Sequence, residues 1–311
     1  MSLVNVGTVA FDAIETPFGK TDKIIGGACT YISLAASYFT KQAKIVSVVG
    51  EDFPQETLDM FKDKDIITEG LQIKQGEKTF FWSGKYHNDM NSRDTIDTQL
   101  NVLENFDPVI PESYQDCEYL MLGNLTPSLQ LKVIKSMDIR PRLIVLDTMN
   151  FWMEIAMDDL KAVIKEIDVL TINDEEARLL SGEYSLRKAA RKILQMGPKT
   201  LIIKKGEHGA LLFGGDKVFY APALPLEEVF DPTGAGDTFA GGFIGHLAST
   251  GDLSWENMKN AIIMGSAMAS FTVEKFGIER LRDLSMDEIA DRINEFAELT
   301  NFSLEFPAVV K

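Results

Sequence analysis

Apolar and polar positions follow two rhythms along this chain. Short, mostly apolar runs rich in Val, Ile and Leu recur at 4–10, 44–49, 120–122, 143–146, 169–172, 201–204 and 210–213. Longer stretches with helical patterning lie at 28–39, 54–62, 129–137, 174–180, 186–195, 235–248, 255–272 and 286–299. The first kind predicts strands buried on both faces and the second predicts helices. Their alternation predicts βα crossovers and an α/β fold, with a mostly parallel sheet covered on both sides. One segment breaks the rhythm. Residues 67–103 carry the strand-like pieces ITEGLQIK and KTFFWSGKY and then the polar stretch HNDMNSRDTIDT, with no helix between. This predicts an antiparallel excursion from the core, read equally as a lid or dimer flap and as an edge hairpin with a surface loop.

Composition narrows the field. With 311 residues the chain suits one large α/β domain or two smaller ones, at about 150 residues per domain. Lys and Arg number 31 against 47 Asp and Glu, a net charge of −16. That argues against nucleic-acid and anionic-membrane partners, which need a basic face. The longest uncharged apolar run, 261–271, falls short of the ~20 residues of a membrane span. The N-terminal segment lacks a basic start and reaches Asp12 and Glu15 early, unlike a signal peptide. The two cysteines, Cys29 and Cys117, are far apart in sequence and suit no disulfide framework or zinc site. A cytoplasmic location is expected.

The most informative stretch is Asp231-Pro-Thr-Gly-Ala-Gly-Asp237, leading into the small-residue helix predicted from 235. A glycine turn feeding a helix start aims several N–H groups at one spot, where the helix dipole also favours negative charge. A carboxylate beside such a cradle repels an anion, which makes sense where Asp237 takes a proton from a nucleophile attacking it. A plain helix start with a dipole-favouring Asp fits the bare pattern too. Gly19-Lys20-Thr21 imitates the end of a P-loop, but Ile14 stands where its first glycine belongs. No G-x-G-x-x-G follows the first strand either.

The Asp231–Asp237 stretch resembles the second signature of the PfkB, or ribokinase-like, carbohydrate kinase family. Gly26-Gly27-Ala28-Cys29-Thr30-Tyr31 and Val49-Gly50-Glu51-Asp52 resemble its first. The resemblance covers nearly the whole chain. It implies a three-layer α/β/α core with a mostly parallel sheet plus a small β-sheet lid. On it, 1–311 forms a single domain with the lid drawn from about 12–25 and 67–103. It further implies an ATP-dependent phosphotransferase moving the γ-phosphoryl group to a hydroxyl of a sugar or sugar-like substrate.

Matched by position, Asp237 is the implied base and Gly234, Ala235 and Gly236 the implied anion hole. Asp12, Gly26, Gly27 and Tyr31 are implied at the acceptor; Asn91 and Arg93, in the polar stretch 87–93, are candidates to reach it from the lid, and a solvated loop accounts for them about as well. Thr233, Gly206, Gly209, Gly265 and Ser266 are implied at the nucleotide. Asn173 and Glu176 are implied to organise Mg²⁺ and phosphate, although Asn173 with Glu176 three residues on also reads as a capping box. A monovalent cation near Asp231 and Thr233 and a homodimer formed through the lid are further expectations.

The chain departs from the family pattern at several points. Tyr31 stands where many members have Asn, Lys204-Lys205 replace a usual Thr-Leu, and Asp147-Thr-Met-Asn150-Phe-Trp152 lacks its usual spacing and Arg. Two alternatives to a sugar kinase stay open. One is a nucleoside kinase of the same fold, for which Phe11, Tyr31, Phe81 and Trp82 are candidates for a base-binding wall. The other is a catalytically silent ligand-binding member, against which the intact glycine turn and Asp237 both count.

Overall fold

The computed structural model describes residues 1–301 and 303; the remainder of the expected 1–311 domain lies outside the described residues. The chain opens with β1 (Leu3–Val6), β2 (Ala10–Thr16), β3 (Gly19–Lys20), β4 (Ile24–Gly26), α1 (Ala28–Ser37), β5 (Ala43–Gly50), α2 (Gln55–Asp63) and β6 (Ile66–Lys74). Next come β7 (Phe81–Tyr86), β8 (Arg93–Gln99), β9 (Tyr119–Leu122), α3 (Pro127–Lys135) and β10 (Leu143–Asp147). They are followed by α4 (Asn150–Ile155), α5 (Met157–Ile164), β11 (Val169–Asn173), α6 (Asp174–Ser181), α7 (Leu186–Leu194) and β12 (Thr200–Lys204). The rest comprises β13 (Ala210–Gly214), β14 (Lys217–Ala221), α8 (Ala235–Thr250), α9 (Trp255–Thr272), α10 (Glu279–Asp283) and α11 (Met286–Thr300).

Nine strands form the large sheet in the order β14-β13-β12-β11-β10-β9-β1-β5-β6. The run from β12 to β6 is parallel, and β13 and β14 add an antiparallel edge. Strand periodicity divides the core in two. Val4, Val6, Leu120, Leu122, Ile144 and Leu146 face one way, onto Val133, Leu160, Val163, Ala177 and Ile193 of α3, α5, α6 and α7. Leu3, Tyr119, Met121, Leu143 and Val145 face the other way, onto Ile32 of α1, Phe243 and Leu247 of α8, and Ile262 of α9. This is the expected three-layer arrangement. Among the described residues no helix is long and apolar enough to cross a membrane.

Strands β3, β2, β7 and β8 form a second sheet, with β4 pairing β2. The structure divides the chain differently from the pattern in two places. The apolar run 4–10 is two strands, because the chain leaves the large sheet after Val6 and enters the small one at Ala10. Residues 66–74 are not part of the excursion: β6 pairs in parallel with β5 across α2 and forms an edge of the large sheet. Its half-exposed edge position gives it mixed polarity, which hid it from a search for apolar runs. The small sheet is not wholly antiparallel either: β2 and β7 run parallel, while β2 pairs antiparallel with β3 and β4, and β7 with β8.

Candidate active site

Strands β10, β11 and β12 end on one side of the large sheet, where α8 also begins. Carboxyl ends of parallel strands are the usual place for a ligand crevice, because the loops leaving them diverge. Asp147 closes β10, Asn173 closes β11 and Lys204 closes β12. The pairing puts Asp147 opposite Thr171 and Asn173 opposite Lys204, so these groups meet in one place. Lys204 Nζ lies 2.5 Å from Asp147 Oδ2, which also accepts from Thr171 Oγ1 at 2.6 Å.

The glycine turn has the geometry its sequence implies. Gly234 caps α8 with φ 75°, a left-handed conformation that disfavours any side chain. A Cβ there would also stand 2.5 Å from the Tyr31 ring. Asp231 braces the approach, accepting from Thr233 N and Gly277 N at 2.9 Å each. Thr233 gives its hydroxyl to Tyr86 of the small sheet at 3.2 Å, which ties the turn to β7. Gly234, Ala235, Gly236 and Asp237 all keep partial exposure, so the turn faces open space.

Asp12 occupies the opposite wall. Its carboxylate lies against Gly26, where a Cβ would stand only 1.9 Å from Oδ2. Gly27 turns the chain into α1 at φ 92°, and a Cβ there would press on Thr8 O at 2.5 Å. The Tyr31 hydroxyl is buried with no hydrogen-bond partner among the described residues, and Asp231, Asp12 and Asp237 all lie within Coulombic reach of it.

Electrostatics follow from this crowding. Burial, reinforced by Asp231 and Asp237, pushes Asp12 up to about 7. Burial, then Asp147, raises Asp237 to about 7 as well, with Lys204 and Arg93 pulling the other way. Glu176 rises to about 7 through burial, opposed by Lys204 and by the Asn173 N–H. Burial works against the charge on Lys204, but Asp147, Glu176 and Asp237 outweigh it and hold the ammonium above its ordinary range. A free aspartate is a weak base, and this setting makes Asp237 a stronger one.

The remaining predicted residues fall in distinct places. Asn173 and Glu176 form a complete capping box, each side chain accepting the other's backbone N–H at 2.8 Å. Gly206 and Gly209 shape the turn between β12 and β13 with φ 54° and 77°. Asn91 Oδ1 lies 2.5 Å from the position of a Gly206 Cβ, which puts it beside that turn. Arg93 is exposed on β8, within Coulombic reach of both Asp237 and Glu176. Gly265 lets α9 approach α8, since a Cβ would stand 2.7 Å from Phe239 O, and Ser266 is buried beside it.

The four candidate aromatics separate by face. Trp82 is in register with Asp12 and Phe81 with Phe11, and partners in a parallel pair share a face. Phe11 therefore turns away from Asp12, stacking on Phe53 in the core, and Phe81 packs against the same cluster. Trp82 shares the Asp12 face and stays half-buried. Its ring lies across Gly84, where a Cβ would meet it at 2.1 Å, and its Nε1 donates to Thr95 Oγ1 at 3.3 Å.

Sequence reasoning gave no site role to Asp147, Lys204, Thr171 or Tyr86. A usable signal existed for the first two: each is a charged residue closing a buried apolar run, at the end of a strand where ligands bind.

Comparison with known proteins bears on the family and the fold. The pattern described as pfkB family carbohydrate kinase matches residues 4–282. A cytidine kinase from Thermococcus kodakarensis is 30% identical over 250 residues, covering 78% of this chain and 87% of that one. The crystal structure of a Methanocaldococcus jannaschii nucleoside kinase matches with a TM-score of 0.76 at 21% identity, over 94% of this chain and 98% of that one. A putative ribokinase II from E. coli, solved in complex with ATP and Mg²⁺, matches with a TM-score of 0.78 at 20% identity, over 94% and 99%. With its family signature, its fold and its whole-length relatives in agreement, the chain belongs to the pfkB family of carbohydrate kinases and is a phosphotransferase.

Proposed function

We propose that this chain transfers the γ-phosphoryl group of ATP to a hydroxyl of a nucleoside. The observation carrying the acceptor class is Trp82. Its ring covers Gly84 on the Asp12 face of the small sheet. Asp12 suits ribose hydroxyls, and a flat indole beside it suits a base, since every base offers a π-face. The cytidine kinase relative supports the same choice. The nucleoside alternative thus moves ahead of the sugar acceptor.

In the transfer, the acceptor oxygen bonds to the γ-phosphorus as the bond to the β-phosphate oxygen breaks. The acceptor proton passes to Asp237, and ADP leaves. The N–H groups of the Gly234–Gly236 turn stabilise charge on the moving group. The Tyr31 hydroxyl is free to bond the acceptor. Among the described residues no three His, Cys, Asp or Glu side chains gather into a metal site. The oxygen donors of Asn173 and Glu176 fit Mg²⁺ carried on nucleotide phosphates with most of its waters kept. Mg²⁺ would neutralise phosphate charge, with Glu176 and Asn173 holding its waters. Thr233, Gly206, Gly209, Gly265 and Ser266 would line the nucleotide, with Asn91 beside Gly206. The small sheet would act as a lid over the acceptor, with Arg93 closing on the phosphate side.

An ATP-consumption panel with Mg²⁺ across nucleosides, free pentoses, hexoses and inositol tests this. A nucleoside should exceed ribose at least tenfold in kcat/KM. Trp82→Ala should raise the nucleoside KM about tenfold, the scale of one lost stacking contact. Turnover confined to free sugars or inositol would overturn the nucleoside reading.

A further inference from the structure

The Gly234–Gly236 turn has an unusual electrostatic surrounding. Asp147, Glu176 and Asp237 all lie within Coulombic reach of Lys204 beside it, in a chain that already carries a net charge of −16. A phosphoryl group entering this space meets three carboxyl groups. Backbone N–H groups supply only partial charges against them. Two full positive charges are close by: Arg93, which is exposed on the small sheet, and Lys204.

Lys204 is set apart by its position. Its side chain is 18% exposed and that of Asp147 only 9%. Its Nζ stands 3.1 Å from where a Cβ on Gly236 would lie, the closest heavy atom to that point. The ammonium thus lies against the turn that cradles the phosphoryl group. An ammonium has three donors, and the structure gives one to Asp147. Thr171 holds Asp147 in turn, so the ammonium is fixed before any ligand arrives. A prepositioned charge is most effective in such a site, because it need not reorganise during the reaction.

We propose that Lys204, held in place by Asp147, is a catalytic residue that binds the oxygens of the transferring phosphoryl group beside the glycine turn. Lys204 gives up no proton; it stabilises negative charge while the acceptor proton goes to Asp237. Asp147 is its positioning residue. The role rests on the phosphoryl-transfer reading above, but not on the identity of the acceptor.

Lys204→Met keeps the length of the side chain and removes its charge. Equilibrium binding of ATP and of ADP, measured by calorimetry without acceptor, separates the possible roles. Lys204→Met should weaken ATP about tenfold and leave ADP within twofold, because only ATP carries the γ-phosphoryl group. In turnover kcat should fall at least a hundredfold while the acceptor KM stays within threefold, and Lys204→Arg should restore part of kcat. A purely structural ion pair would instead weaken both nucleotides alike and lower the melting temperature. Since a lone buried Asp147 can itself unfold the protein, Asp147→Asn combined with Lys204→Met removes both charges together. A folded double variant that no longer prefers ATP supports the proposal. A folded double variant with normal kcat and normal ATP preference overturns it. If no nucleoside is phosphorylated, the acceptor reading fails, while the ATP–ADP contrast still decides the role of Lys204.

Discussion

On the phosphoryl side of the crevice the charged groups of the sheet edge are buried and braced. Lys204 bonds Asp147, Asp147 also accepts from Thr171, and Glu176 closes a reciprocal cap with Asn173. The small sheet facing them is built otherwise. Strand β8, which carries Arg93, is exposed along its whole length, and Trp82 of the neighbouring β7 donates to its Thr95 and stays half-buried. The first arrangement holds reacting groups to fixed positions, which phosphoryl transfer needs more than any covalent help. The second can shift or change sequence at little cost to the core. On the proposed reading, chemistry and acceptor choice sit on parts of very different burial, and altering each should give a different signature.

The largest effect belongs to the rigid side. Asp237→Asn keeps the shape of the side chain and removes the proton acceptor. It should lower kcat about a thousandfold, within the usual range for general-base loss, with ATP affinity retained in calorimetry. Near-normal turnover would mean that the proton leaves by another route, and the contrast between the two sides would lose its basis.

How far the sequence disclosed these two sides differs for the same reason. The glycine turn was legible because its constraints are local: Gly234 must be left-handed, and Asp237 follows within one helical turn. The alternation of apolar strands and helices likewise disclosed the layered core, since burial on both faces leaves a continuous signal. Lys204 and Asp147 were not legible as a pair, because only the pairing of β10, β11 and β12 brings residues 57 positions apart together. Trp82 could be named as an aromatic but not given a face, since that depends on its register with Asp12. Residues 66–74 read as part of the excursion because an edge strand carries too few apolar residues to look like core.

A second effect, smaller than the loss of Asp237, concerns pH. Asp12 and Asp237 lose their protons near 3.8 when unfolded and near 7 when folded. Between those values the folded chain holds more protons than the unfolded one, so raising the pH favours unfolding. The unliganded protein should therefore lose several degrees of melting temperature between pH 5 and pH 8. Activity should rise over the same interval, because the base must be ionised to accept a proton. Asp237→Asn should shrink the thermal slope, leaving the contributions of Asp12 and Glu176, which is likewise raised to about 7. A slope unchanged by the substitution would show that Asp237 titrates near its ordinary value and that the braced side is less desolvated than its packing implies.

The smallest effect is expected at the outer edge of the small sheet. Ile96 is 64% exposed at the centre of β8, flanked by Thr95 and Asp97. Edge strands are commonly blunted by charge, which discourages pairing with another chain. Ile96→Lys extends that protection without touching Asp12, Trp82 or the glycine turn. It should leave kcat and KM within twofold and stability within about 0.5 kcal/mol, as surface substitutions usually do. Kinetics and a thermal melt check the first two quantities, and sedimentation at matched concentration reads the assembly state. A tenfold loss of activity accompanied by a fall in mass would place β8 in a lid-to-lid dimer that shapes the acceptor site. The exposed side of the crevice would then be covered by a second copy of the chain, and the open face of β8 would be a property of the single chain alone.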